Sequence, residues 1–306
     1  MYKLPVNIFC YFIKDLVKRE YVRNILMNKI KIPVEYLKPN YSRNIDIKGM
    51  NNAIIIVENG VERSINENEQ IEGLEIVING NNNVVKMEFP FKANNSRIEI
   101  IENDNAYVEL GKSETFHNTY IRVNWGKGQV CKIGKNTTIC SANIILDSLA
   151  SCIIGEDCMF SNSIRIWGDD GHSILDANTR EILNEPKRAV TIGNHVWVGE
   201  AVRITKNARI HDNSIIGGGA VAYKDYEESN VVIAGNPGKI VRRNITWDRR
   251  NTYFLQRERV IFSLCKKNLE IMHYLLAILF MVCYKHNYNL QLKYTQLPSG
   301  SIFCII

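Results

Sequence analysis

The sequence predicts a mainly β chain: a parallel β-helix wound from six-residue repeats, with helical extensions at its N- and C-terminal ends. Three observations carry that reading. Aliphatic residues recur at every sixth position, at Ile192, Val198, Ile204, Ile210 and Ile216, with Ala222 as a weaker last member. A small residue stands four places after most of them, at Val196, Val202, Ala208, Ser214 and Ala220. The same frame runs upstream through Ile133, Ile139 and Ile145, and again through Ile154, Phe160 and Ile166. A period of six belongs to neither an amphipathic helix nor an alternating strand.

Each hexad reads as one short strand and one tight corner, so three hexads close a triangular coil. The aliphatic side chain points to the axis and the small residue fills the corner. Gly and Asn relieve the bend because both tolerate positive φ. Stacked coils become parallel strands about 4.8 Å apart, with the aliphatics aligned in columns. Such coils wind left-handed, against the usual crossover rule.

Earlier in the chain the repeat loosens. Ile45, Ile47, Gly49, Asn51 and Asn52 share a pattern with Ile76, Ile78, Gly80, Asn82 and Asn83: alternating apolar residues, a glycine at the bend, then paired asparagines. Asparagines stacked at corners are expected to hydrogen-bond along the axis. The β-helix is therefore assigned to residues 45–243. Residues 1–44 mix apolar and basic residues at helical spacing, as in Phe9, Phe12, Ile13, Leu16 and Val17, and are expected to form a helical cap. Residues 244–306 are expected to be a helical extension, basic first and apolar later. Covering the open ends of a solenoid prevents edge-to-edge association.

Composition narrows the function. The chain has 306 residues, 45% of them hydrophobic and 23% charged, which excludes wholesale disorder. A net charge of +6 is too mild to imply nucleic acid. That charge is also uneven: from Lys239 onward 11 Lys and Arg face 3 Asp and Glu, while the first 238 residues carry 27 against 29. The eight cysteines form no CxxC pair and no zinc-like quartet, so reduced thiols, no metal and a cytoplasmic location are expected. No signal peptide is expected, since Lys14 and Asp15 interrupt the first apolar stretch. The run from Ile271 to Tyr284 contains His273 and is short for a membrane span; it suits a buried helix or peripheral contact at the inner membrane face.

Between Ile166 and Thr191 the hexad frame stops, then resumes at Ile192. An excursion from a rigid solenoid, here near residues 168–190, is where a binding loop is expected. It holds His172 among Asp169, Asp170 and Asp176. Histidine titrates near neutrality and takes a proton from a hydroxyl, with a carboxylate or carbonyl fixing its tautomer. Trp197 is the second outlier. It lies between the inward residues Val196 and Val198, so alternation turns it outward, where a ligand or a neighbouring subunit can cover it. His195 and His211 occupy variable repeat positions expected to face solvent.

The segments IGNHVWVG (192–199), IHDNSIIGGGAV (210–221) and AGNPGKIVR (234–242) resemble the hexapeptide-repeat O-acetyltransferases. The DGHSI motif at 170–174 and the asparagine-rich early coils resemble most the capsular polysaccharide and polysialic acid members. The resemblance covers about residues 130–243. It implies acetyl-CoA as donor, a saccharide hydroxyl as acceptor, and a homotrimer with sites between subunits. It places the catalytic histidine at His172 and an aromatic wall beside the acyl group at Trp197. It places cofactor contacts at Glu200, Gly218, Tyr223, Lys224, Lys239 and Arg242. Lys224, Lys239, Arg242 and Arg243 are candidates to receive the phosphates of coenzyme A. Tyr223 departs from the usual small residue, and Tyr226–Ser229 from a proline-containing turn, which reshapes the groove there. An amino-sugar N-acetyltransferase and a non-catalytic β-helical scaffold are the alternatives. The His loop and the outward Trp197 weigh against the scaffold.

Overall fold

The computed structural model describes residues 45–259 and two short strands, Lys293–Gln296 and Ile302–Ile305. Three parallel sheets form the faces of a prism, and the chain visits them in rotation. The first face stacks eight rungs, from Ile45–Lys48 through Ile164–Trp167 to Val221–Ala222.

The register explains the period of six. On the first face Ile45, Ile76, Ile98, Ile121, Ile144, Ile166, Ile204 and Ala222 pair in one column, and all are buried. On the second face Leu110, Ile133, Ile154, Ile192 and Ile210 align, and on the third Phe116, Ile139, Phe160, Val198, Ile216 and Ile233. These columns meet along the axis as the single hydrophobic core. The predicted corner residues Val196, Val202, Ala208, Ser214 and Ala220 are buried as well.

One position of the predicted frame is corrected. Ile144, not Ile145, points inward, because Ile144 pairs with Ile166 and Ile145 with Trp167. The corner at Ser141 is one residue shorter than the corner of the following coil, so the step from Ile139 to Ile144 is five, as it is from Phe116 to Ile121, whereas Phe160 to Ile166 is six. The backbone absorbs this through the Ser141 N–H bond to Ser161 O and the Ile164 N–H bond to Ser141 O.

The corners follow sterics. Residues with φ near +60° form vertical columns, such as Asn136, Asp157, His195, Asn213 and Asn230 between the second and third faces. Left-handed backbone favours Asn and Gly, which explains the asparagine richness. Asparagines also ladder inside the early coils. Asn83 donates to Asn103 O and accepts from Ala106 N–H, while Asn103 donates to Val123 O.

Within the described residues, antiparallel strands close two of the sheets. Val61–Ile65 pairs with Ala53–Glu58 at the N-terminal end, and Lys239–Arg242 with Val232–Ala234 at the other. The expected helical cap at 1–44 lies outside the described residues. Of the expected C-terminal helical extension, residues 252–259 are helical and the strands 293–296 and 302–305 pair antiparallel. Residues 244–251 overturn the helical expectation: they bond to the stacked coils instead of to themselves, Ile245 N–H to Asn230 O and Trp247 Nε1 to His195 O, and the other residues of the extension, including Ile271–Tyr284, lie outside the described residues. Among the described residues no helix is long and apolar enough to cross a membrane.

Candidate active site

The loop at residues 168–189 leaves the stack after Ile164–Trp167 and returns at Val190–Ile192. A bridge between Leu175 and Ile182 closes it as a hairpin, and the Asp176 carboxylate caps the turn by accepting from Asn178 and Thr179 N–H. Asn184 ties the hairpin to the histidine. Its Oδ1 accepts from Ile174 N–H at 2.8 Å, and its Nδ2 donates to Asp170 Oδ2 and to His172 O, both at 2.8 Å. Lys206, on the next rung, donates to Asp170 and to Asn184 O. Burial raises the Asp170 carboxyl, but the bonds from Lys206 and Asn184 outweigh it and hold the group below the ordinary range.

This clamp sets His172 beside a groove of about 540 Å³ on the first face, lined by Tyr120, Asn143, Arg165, Trp167 and Asp169 among others. The His172 backbone is bonded, while its exposed imidazole has no hydrogen-bond partner among the described residues. At the floor the buried Asp147 pairs with Arg122, which is partly exposed. Burial, with Asp147 and Asp170 nearby, pushes the Asp169 carboxyl above its usual range, and its buried Oδ2 has no partner. Burial and a hydrogen bond to Glu99 push the Tyr120 hydroxyl up to about 12.

A second groove of about 300 Å³ continues along the same face, lined by Arg165, Trp167, Arg203, Thr205, Val221 and Asn236. Arg165 and Trp167 belong to both. Arg165 and Arg203 pair in register on neighbouring rungs, and neither guanidinium has a partner among the described residues.

The predicted site residues are dispersed. Trp197 faces outward, 38% exposed, but on the third face, where it pairs with Met159 and Ile215. It lines neither groove of its own protomer. Glu200 and Gly218 stack at the corner between the third and first faces, where Glu200 O accepts from Gly219 N–H. A Cβ on Gly218 would lie 3.3 Å from that same oxygen. Tyr223 and Lys224 follow the last rung of the first face, both exposed. Lys239 and Arg242 are exposed on the closing strand of the third face. Arg243 is bound by Glu228 through two bonds of 2.7 and 2.9 Å, so it is not a free cation. Tyr226 turns inward and donates to Gly238 O, packing the turn at 226–229 against the closing hairpin.

Two expectations are corrected. His195 and His211 do not simply face solvent: His195 Nδ1 lies 2.7 Å from Asp157 Oδ2, and His211 Nε2 lies 3.0 Å from Asp225 Oδ1. Both sit at or beside corners, where the turning chain brings a carboxylate within reach. Sequence reasoning also passed over Arg165, Trp167 and Arg203. Trp167 had a usable signal, since it follows inward Ile166 and so turns outward like Trp197. Among the described residues no cluster of three or more His, Cys, Asp or Glu is arranged to hold a metal.

No protein-family model matches the chain. A polysialic acid O-acetyltransferase of Neisseria meningitidis is 31% identical over 188 residues, 55% of this chain and 86% of that protein. One from Escherichia coli O1:K1 / APEC is 31% identical over 143 residues, 47% of this chain but only 45% of the relative. The solved polysialic acid O-acetyltransferase OatWY matches with a TM-score of 0.54 at 28% identity, over 68% of this chain and 92% of that one. Coil, corner and loop together define a hexapeptide-repeat β-helix protein. The chain belongs to the hexapeptide-repeat O-acetyltransferase family, a group of acyltransferases, and its expected left-handed winding accords with that membership.

Proposed function

We propose that the chain is an acetyl-CoA-dependent O-acetyltransferase acting on a hydroxyl of a bacterial surface polysaccharide of the capsular or sialic acid type, with His172 as general base. The observation that carries this is the imidazole of His172, held by its own backbone beside a groove and left without a partner. A sugar hydroxyl attacks a thioester only as its proton is removed, and one positioned histidine does this. The oxygen bonds to the acetyl carbonyl, His172 takes the hydroxyl proton, and the tetrahedral oxyanion collapses. Collapse breaks the C–S bond, and the protonated imidazole returns its proton to the thiolate leaving group.

Cations for the donor stand on the first face and on the closing strand of the third. Coenzyme A carries several phosphate charges, and Arg203, Lys224, Lys239 and Arg242 are cations without an ion-pair partner among the described residues. The relatives' printed names, polysialic acid O-acetyltransferases, support the acceptor class. Because His172 and Trp197 stand on different faces, a site that uses both is completed by a second copy. We therefore propose a homotrimer of three 35.1 kDa chains.

The test is His172→Ala, read by thiol release from acetyl-CoA with capsular saccharides. Turnover should fall by about 10²- to 10⁴-fold, the scale of a lost acid–base group. Near-normal turnover would sink the assignment.

A further inference from the structure

Residues 245–250 run back along the corner between the second and third faces as a strap. Ile245 exchanges backbone and side-chain bonds with Asn230. Trp247 Nε1 donates to His195 O at 2.7 Å, and His195 Nε2 lies 3.1 Å from Trp247 O. The two rings stack with centroids 4.1 Å apart and planes 9° from parallel. Arg249 then reaches Asp157, Thr138 Oγ1, Asn136 O and Cys158 O, and its guanidinium lies over the Trp247 ring.

In this corner column Asn136, Asn213 and Asn230 hold the left-handed bend, as sterics favour. Asp157 and His195 are the departures, and the strap engages both of their side chains as well as that of Asn230. Trp247 is buried, and its ring lies 6.3 Å from Trp197, inclined at 48°. Above and below, Trp197 meets only Met159 and Ile215 on its own face. Trp247 supplies its lateral wall.

We propose that Trp247 is a positioning residue for Trp197: the strap, locked by His195, Asp157 and Arg249, fixes the indole that faces the acyl group. This rests on the acyl-wall reading of Trp197. Trp247→Ala should lower kcat/KM for acetyl-CoA about tenfold, the scale of one lost aromatic pairing. Trp247→Phe should keep most of it. The deciding measurement is the double variant. If Trp247 acts through Trp197, Trp197→Ala with Trp247→Ala should be no worse than Trp197→Ala alone.

His195→Asn is the second handle, because Asn suits the left-handed corner and removes both the stack and the ring bonds. It should lower the same parameter in the same direction at a temperature well below its melting point, where the variant is fully folded. Multiplied losses in the double variant would overturn the proposal, as would an unchanged kcat/KM in His195→Asn. If His172→Ala abolishes transfer while Trp197→Ala does not, the general-base reading stands and the positioning role falls. If neither variant loses transfer, the functional reading itself fails.

Discussion

Asn184 is the residue on which loop geometry turns, and its removal has a calculable effect. Asn184→Ala deletes three hydrogen bonds of 2.8 Å, one of them to the ionised Asp170. A neutral bond contributes about 1 kcal/mol net and a charged one about 1.5–3 kcal/mol, so the deletion costs about 3–5 kcal/mol of loop order. The Leu175–Ile182 bridge, the Asp176 turn and the Lys206 contacts remain and offset part of this. About 1.5–3 kcal/mol should reach the competent conformer, which is about 10- to 100-fold in kcat/KM. None of the deleted bonds touches the coil core, so the melting temperature of the stack should barely move. Thiol release and a thermal melt on the same preparations decide it. A variant within twofold of the parent, or one whose activity falls only with its melting temperature, would refute the clamp.

Other expectations concern stability. Ile144→Ala should cost about 2–5 kcal/mol by urea unfolding, as for a fully buried aliphatic, and Ile145→Ala less than half of that; the reverse order would restore the unbroken six-residue frame. Asn213→Ala should cost about 1–2 kcal/mol because its φ is +59°, whereas Asn213→Gly should cost less. Burial raises the Asp157 carboxyl, but bonds from His195 and Arg249 outweigh it and hold the group below its usual range. Its folded pKa is depressed, so its stabilisation is present above the unfolded value of about 3.9 and is lost as pH falls through the folded value. The difference in melting temperature between the parent and Asp157→Asn should therefore shrink below about pH 4; a constant difference from pH 6 to pH 3 would contradict this pairing.

The solenoid was legible because its constraint is local and repeated. One inward aliphatic per corner leaves a period that no other architecture demands, and the columns through Ile166, Ile192 and Val198 follow from it. The five-residue step at Ser141 was not legible, since a corner one residue short of the later frame leaves both Ile144 and Ile145 as candidates for the core. Trp197 was read correctly as outward by alternation alone. What alternation cannot say is which face it is on relative to His172, because the loop at 168–189 interrupts the count of corners. The partners of His195 were hidden for another reason. Trp247 lies 52 residues away in sequence, beyond the last hexad, and only the folded strap brings it to the ring.

The strap also limits how this stack can change in length. A solenoid has no natural end, and inserting a whole coil usually costs little because each rung sees only its neighbours. Here one extended segment measures off several rungs at once. From Asn230 to Asn136 the corner climbs four coils, about 19 Å at 4.8 Å per step. Ile245 to Arg249 spans at most about 14 Å when fully stretched, and the Arg249 side chain covers the remainder. The segment has almost no slack. A coil added between Asn136 and Asn230 would carry the anchor points out of its reach, whereas a coil added before Asn136 would leave every anchor where it is. Growth of this molecule is confined to its N-terminal half.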